Sequence, residues 1–261
     1  MLALWGAERS AAGAEELDPA GGFAVADRLG QEVAQLRDLV GVERADERLV
    51  AEQARAQAVD ELRARVTGLD FSPAAIDAAR DLAARAGLTD RADFVCADVH
   101  DATEALGGAT FDIVYVSLGA LCWLPSVDRW ASQVGALVAP GGRLYLHDAH
   151  PVSWALADDE LRLQHTYFEE SEAFTIETDV TYTDATRPLR ATRLYEWNHG
   201  IGEIVTALLR HGLRLDWLVE HDWTVWPRYP WLLEDEHGQW SPPPGVPRAP
   251  LSYTLLATRP R

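Results

Sequence analysis

Lysine is absent from this 261-residue chain, so all 23 basic residues are arginine. That absence excludes Schiff-base and pyridoxal chemistry and P-loop phosphate transfer, each of which needs a lysine amine. There are two cysteines, Cys96 and Cys122. With no CxxC spacing they supply neither a disulfide framework nor a zinc site, and no metal is expected. No apolar run reaches the length of a membrane span, and residues 1–22 lack the basic start of a signal peptide, so a cytoplasmic protein without a membrane partner is expected. Cations are also scarce: 41 acidic residues give a net charge of −18, which repels phosphate backbones and argues against nucleic acid as a partner. The Ala/Arg-rich, lysine-free composition points to a GC-rich bacterial genome. Oligomeric state is not legible.

At 48% apolar content the chain can bury one substantial core, and a single domain is expected over residues 1–261. Three regions differ in character: an atypical segment (1–65), a βα core (66–150) and a portion of different texture (151–261). From Val66 onward, short apolar runs alternate with amphipathic stretches, the pattern of βαβ units in a mostly parallel sheet flanked by helices. Val66 to Leu69 reads as a strand ending at Asp70. Ser72 caps the next helix, Pro73 suits its first turn, and Ile76, Ala79, Ala83 and Ala86 share a face before Gly87. Buried strands are expected at Phe94 to Ala97, ending at Asp98, and at Ile113 to Val116, ending at Ser117. Ser126 starts a helix with Val127, Trp130, Val134 and Leu137 inward; Pro140-Gly141-Gly142 turns the chain into a strand, Arg143 to His147.

Beyond residue 150, Phe174 to Trp197 reads as an inserted β-rich lid with a turn near Asp184 to Pro188. A helix striped by Ile201, Ile204, Val205, Leu208 and Leu209 ends at Gly212, and a strand from Leu213 to Val219 follows. The Trp- and Pro-rich stretch Trp223 to Pro250 reads as irregular, ahead of a closing strand from Leu251 to Ala257.

In an open parallel sheet, residues just past the carboxyl ends of the strands meet in one crevice. Asp70, Asp98 and Ser117 occupy such ends. Asp70 either accepts both hydroxyls of a ribose or caps the following helix, a task that Ser72 performs better.

The segments VTGLDFSPAAIDAAR, DFVCADV, FDIVYVS and APGGRLYLH resemble, in order, the successive motifs of class I S-adenosylmethionine-dependent methyltransferases. The resemblance covers about Arg65 to Arg259. It implies a Rossmann-like α/β fold with an antiparallel closing strand, S-adenosyl-L-methionine as cofactor, and a small-molecule methyl acceptor. By that resemblance Asp70 holds the ribose, Phe71 and Ser72 flank the adenine, and Asp98 with the backbone of Val99 addresses the exocyclic amine. Ser117 and Leu118 line the methionine side.

One motif of the family does not match. A glycine-rich turn belongs about 20 residues before Asp70, where backbone amides approach the methionine carboxylate. No glycine lies between Gly41 and Gly68. Glu43 to Arg65 reads instead as a charged, solvated helix, with Leu39 to Val42 as a candidate first strand. Either the chain is a divergent protein with a weakened cofactor site, or its first sixty or so residues are a misassembled version of an ordinary N-terminus.

His147 and His150 lie three apart near a strand end, a spacing that points them to opposite faces and disfavours a shared metal. His150 and His199 are the candidate bases should the acceptor need to lose a proton. Within Glu196-Trp197-Asn198-His199, Trp197 is a candidate substrate contact, as is Trp123. Two alternatives remain: a methyltransferase-like scaffold that binds no cofactor, and a nicotinamide oxidoreductase, against which the antiparallel closing strand argues.

Overall fold

The computed structural model of the chain describes residues 2–6, 65–158, 161–178 and 192–261. Its centre is a seven-stranded sheet of order β3-β2-β1-β4-β5-β11-β8. The strands are β1 (Leu2–Gly6), β2 (Arg65–Asp70), β3 (Ala92–Cys96), β4 (Phe111–Ser117), β5 (Val138–Ala149), β8 (Arg214–His221) and β11 (Ser252–Thr258). β2 pairs parallel with β3, and β4 with β5, whereas β11 runs antiparallel between β5 and β8. This is the expected Rossmann-like α/β arrangement with its antiparallel closing strand.

The central position departs from expectation. β1 lies between β2 and β4 and is antiparallel to both. Leu2 pairs with Leu69 and Val116, and Gly6 with Arg65, so the carboxyl end of β1 faces the edge opposite to Asp70. The candidate strand Leu39 to Val42, the expected helix over Glu43 to Arg65 up to residue 64, and the turn Asp184 to Pro188 lie outside the described residues. Arg65 itself opens β2 rather than ending a helix.

Three helices flank the sheet: α1 (Pro73–Arg85), α2 (Val127–Leu137) and α3 (Ile201–Arg210). Ser72 caps α1, its hydroxyl accepting the Ala75 N–H, with Pro73 in the first turn. Ile76, Ala79, Leu82 and Ala83 form the buried face of α1; Leu82 rather than Ala86 completes it, and Gly87 ends the helix at φ +69°. On α2, Val127, Trp130, Val134 and Leu137 are buried as their spacing requires. They join Val114, Val116, Leu144, Leu146, Ile204, Leu208 and Leu255 in the main core.

β3 proves half-buried rather than fully buried, because it is the sheet's edge. Pro140 to Gly142 do not separate two elements; they form an irregularity inside β5, where its register with β4 shifts. A Cβ on Gly142 would lie 2.9 Å from the carbonyl oxygens of Phe111, Asp112 and Ala139, so only glycine fits there. The lid contains a paired hairpin, β6 (Phe174–Glu177) with β7 (Arg193–Glu196). Between Trp223 and Pro250 regular structure is confined to the short strands β9 (Leu233–Glu234) and β10 (Trp240–Ser241).

Candidate functional site

The pairing register sets the site edge. Leu69 and Val116 flank Leu2, so Asp70 and Ser117, one residue further on, stand on either side of β1 at the same edge. Asp70 pairs with Cys96, which puts Asp98 beside it at the end of β3. Five of the expected cofactor residues (Asp70, Phe71, Ser72, Asp98 and Val99) cluster past β2 and β3, and Ser117 and Leu118 lie past β4.

Asp70 Oδ1 accepts the Ser72 N–H at 2.8 Å, forming the turn into α1. Both readings of Asp70 therefore have a basis, since one carboxylate oxygen braces the turn that Ser72 continues. Phe71 leaves 75% of its surface exposed directly beside it. Asp98 Oδ1 accepts the His100 N–H at 2.8 Å and caps the 3₁₀ turn Val99–Asp101, while Val99 packs against the main core. Leu118 has φ 28°, the one positive φ at a non-glycine position among the described residues. A bulky side chain held there stores strain, which tends to collect where backbone must meet a ligand.

At the end of β5 the sheet edge holds a buried acid that the sequence reading passed over. Asp148, fully buried, accepts N–H bonds from Gly119 and, at 3.0 Å, from Leu121, and so holds the turn after β4. Burial pushes its carboxyl up and these amides pull it back. Beside it lies a cavity of about 10 Å³, enough for one water-sized group, lined by Cys122, Asp148, Trp154, Trp197, Asn198 and Tyr253 among others. Two of the lining residues carry a buried atom without a hydrogen-bond partner, Trp197 Nε1 and the Tyr253 hydroxyl. The Trp197 N–H donates to the Cys122 carbonyl at 2.8 Å, joining the end of β7 to the 3₁₀ turn Leu121–Trp123. Trp123 on that turn is 45% exposed.

The two candidate bases are differently placed. His199 Nε2 faces the carbonyls of Leu121 and Leu124 at 3.1 and 2.9 Å, and Nδ1 lies 2.9 Å from Glu169 Oε2. Carbonyls only accept, so Nε2 carries a proton and no nitrogen of this ring is left to take one from a substrate. His150 Nδ1 accepts the Val152 N–H at 3.1 Å, its Nε2 lies 2.9 Å from Glu220 Oε1, and burial lowers its pKa against the pull of Glu220. In this structure His199 bridges Glu169 and the Leu121–Leu124 turn, and His150 caps the helix that starts at Pro151. His147 is a third case: burial and nearby His221 lower its pKa to about 4, so it stays neutral with its ring edge-on to Trp223. His147 and His150 face different neighbours, His221 with Trp223 and Tyr253 respectively. Among the described residues no group of three potential ligands converges on a metal.

The sequence reading also missed Glu196. It is 4% exposed, its Oε2 has no partner, and burial pushes its carboxyl up to about 7 despite the opposing charge of Arg228. The signal was present, since Glu196 precedes Trp197 in the quoted Glu-Trp-Asn-His run. Glu169 and Tyr253 had no comparable signal.

Residues 38–142 match the family model described as a methyltransferase domain, a segment whose first part, 38–64, lies outside the described residues. No curated protein matches the chain. Among solved structures, an S-adenosylmethionine-dependent methyltransferase from Clostridium acetobutylicum is similar at 13% identity and TM-score 0.48, over 75% of each chain. One from Mesorhizobium loti is similar at 20% identity and TM-score 0.45, over 74% of this chain and 79% of that one. The N-methyltransferase NodS from Bradyrhizobium japonicum, in complex with S-adenosyl-L-homocysteine, is similar at 13% identity and TM-score 0.46, over 81% and 74%. Residues 38–142 thus match a methyltransferase domain, and the order of the sheet is that of a Rossmann-like α/β fold.

Proposed function

We propose that this chain transfers a methyl group from S-adenosyl-L-methionine to a small molecule. The observation that carries the reading is the gathering of Asp70, Asp98 and Ser117 at one sheet edge, with Asp148 and the cavity continuing the same edge. In this reading the Asp70 carboxylate takes the ribose hydroxyls, the exposed Phe71 ring meets the adenine face, and Asp98 with Val99 addresses the base edge. Ser117 and the strained Leu118 lie toward the methionine side, and Trp197 and Trp123 toward the acceptor. When bound, the cofactor supplies an activated methyl group on sulfur. The protein's own contribution is then to align the acceptor and exclude water rather than to form a covalent intermediate.

The described residues fit the adenosine half of that cofactor and not its amino-acid half. Asp70 and Phe71 offer polar and apolar contacts, but β1 presents its amino end at this edge, so no strand-to-helix turn follows it there with amides for a carboxylate. That observation favours a second reading, in which the domain binds cofactor weakly and serves as a partner or scaffold. Calorimetric titration of the full chain with S-adenosyl-L-methionine and S-adenosyl-L-homocysteine separates the two. Saturable binding of both, with methyl transfer to some small acceptor, is expected; no heat with either ligand would reject the enzyme.

A further inference from the structure

The cavity beside Asp148 contains polar groups that its own fold leaves unused. Trp197 and Tyr253 both line it, and Trp197 Nε1 and the Tyr253 hydroxyl are both buried and without a partner, which is costly for a polar group. A fold does not keep two such donors beside one recess for packing, because phenylalanine would fill either position without that cost. Close by is a third unmet atom, Oε2 of Glu196. The Glu196 carboxyl acts electrostatically on the Cys122 thiol and on Arg228, and Arg228 lies 5.3 Å over the Trp154 ring. Cys122 and Trp154 are cavity walls, and Glu196 is the chain neighbour of a third, Trp197.

The inventory of these groups selects the ligand. An indole N–H only donates, a carboxylate only accepts, and a phenol does both. A single hydroxyl satisfies the set, giving its proton to an acceptor and receiving a bond on its oxygen; a protonated amine would leave the indole unmet. The volume agrees, since about 10 Å³ admits one such group and no ring. Trp154 and Trp197 are only half-buried, so the rest of the ligand meets two indole surfaces outside the recess.

We infer that this recess is the head-group pocket for a phenolic hydroxyl, with Trp197 Nε1 and Tyr253 binding its oxygen and the indoles of Trp154 and Trp197 packing against its ring. The assignment rests on the methyl-transfer reading only in making this hydroxyl the methyl acceptor; the pocket itself is a statement about binding.

The test uses the full chain labelled with nitrogen-15, with phenol, toluene, which has the same shape without the hydroxyl, and anisole, whose oxygen is capped by a methyl group, as probes. Trp197→Phe assigns the Trp197 indole resonance. Phenol is expected to shift that resonance saturably and to bind at least about fivefold more tightly than toluene, with anisole between them. Trp197→Phe and Tyr253→Phe should each remove most of that preference, and Tyr253→Phe should do so without lowering the denaturation midpoint, because the hydroxyl removed has no partner. Equal binding of phenol and toluene, or an indole resonance that phenol does not move, would overturn the pocket and leave the recess a water site. Titration with S-adenosyl-L-homocysteine on the same sample keeps the two readings apart: phenol selectivity without cofactor binding sinks the methyl-transfer reading alone, and cofactor binding without phenol selectivity sinks the pocket alone.

Discussion

His199 Nδ1 lies 2.9 Å from Glu169 Oε2, and the same oxygen accepts the Val127 N–H at 2.8 Å at the start of α2. The Glu169 backbone N–H in turn donates to Glu203, whose carboxylate also accepts the Gly200 N–H at the start of α3. One imidazole thus ties the openings of two helices to the turn after β4, and a carboxylate at a helix amino end is favoured by the unpaired N–H groups there. His199→Ala should lower stability by about 1–3 kcal/mol, by taking the imidazole from the Leu124 carbonyl and from Glu169, while Glu169 keeps the Val127 N–H and the Leu121 carbonyl keeps the Leu124 N–H. Urea denaturation measures this. Unchanged stability with lost activity would favour His199 as a base over its bridging role.

Gly135 of α2 is buried against α3, and a Cβ there would lie 2.5 Å from the His211 carbonyl oxygen. Alanine gains about 1 kcal/mol of helix propensity, but that close contact is with backbone, which has little room to yield. The clash should win. Gly135→Ala is expected to destabilise by about 1–3 kcal/mol, and a rise in melting temperature would show that the two helices separate freely.

Much of the fold was legible because the elements from Val66 onward follow local rules: Ser72 and Ser126 cap, Pro73 starts, Gly87 and Gly212 stop, and apolar spacing matches the buried faces. The strand in the central slot was not, because Leu2 to Gly6 is a short apolar run whose polarity is set by distant partners rather than by its own residues. The site was legible where a residue follows a strand, as at Asp70, Asp98 and Ser117. It was illegible where it depends on burial: nothing in sequence separates Asp148, held among buried neighbours, from an ordinary exposed acid, and Glu196 was marked only by its place before Trp197. The contacts of His199 were illegible because its two partners, Glu169 and the Leu121–Leu124 turn, are 30 and 75 or more residues away.

Asp70→Asn separates the two roles of Asp70. Asparagine keeps an oxygen for the Ser72 N–H, so the turn into α1 persists and stability should change by no more than about 0.5 kcal/mol. A neutral amide loses the paired acceptance of two ribose hydroxyls, so adenosine affinity should fall about tenfold, or about 1.4 kcal/mol. Calorimetry that finds the same affinity would reduce Asp70 to a turn residue.

Glu196 links the cavity to pH. Its carboxyl is pushed from 4.5 up to about 7 by burial, against Arg228 and next to the Cys122 thiol. The folded state therefore holds this proton more tightly than the unfolded chain does. Its stabilising contribution is complete below about pH 4.5 and is lost as pH rises toward 7, on the order of 1–3 kcal/mol. Glu196→Gln removes the titration, so the variant's stability relative to the parent should rise between pH 5 and pH 8. A pH-independent difference in denaturation midpoint would show that the carboxyl titrates normally.

The last prediction follows from the direction of β1. Its carboxyl end, Gly6, pairs with Arg65 at the edge away from Asp70, and its amino end, Leu2, sits between Leu69 and Val116 at the ligand edge. A turn leaving β1 therefore starts on the wrong side of the sheet to bring backbone amides to the cofactor's carboxylate, and among the described residues no glycine-rich turn replaces it. The adenosine contacts at Asp70, Phe71 and Asp98 do not depend on that turn. S-adenosyl-L-methionine should consequently bind this chain no more than about threefold more tightly than adenosine, a difference of about 0.6 kcal/mol. A version given a glycine-rich strand and turn before Arg65 should gain at least about tenfold for S-adenosyl-L-methionine, or about 1.4 kcal/mol, and little for adenosine. Titration of both ligands against both chains checks this, and a large preference for S-adenosyl-L-methionine in the present chain would mean that other residues hold the methionine end.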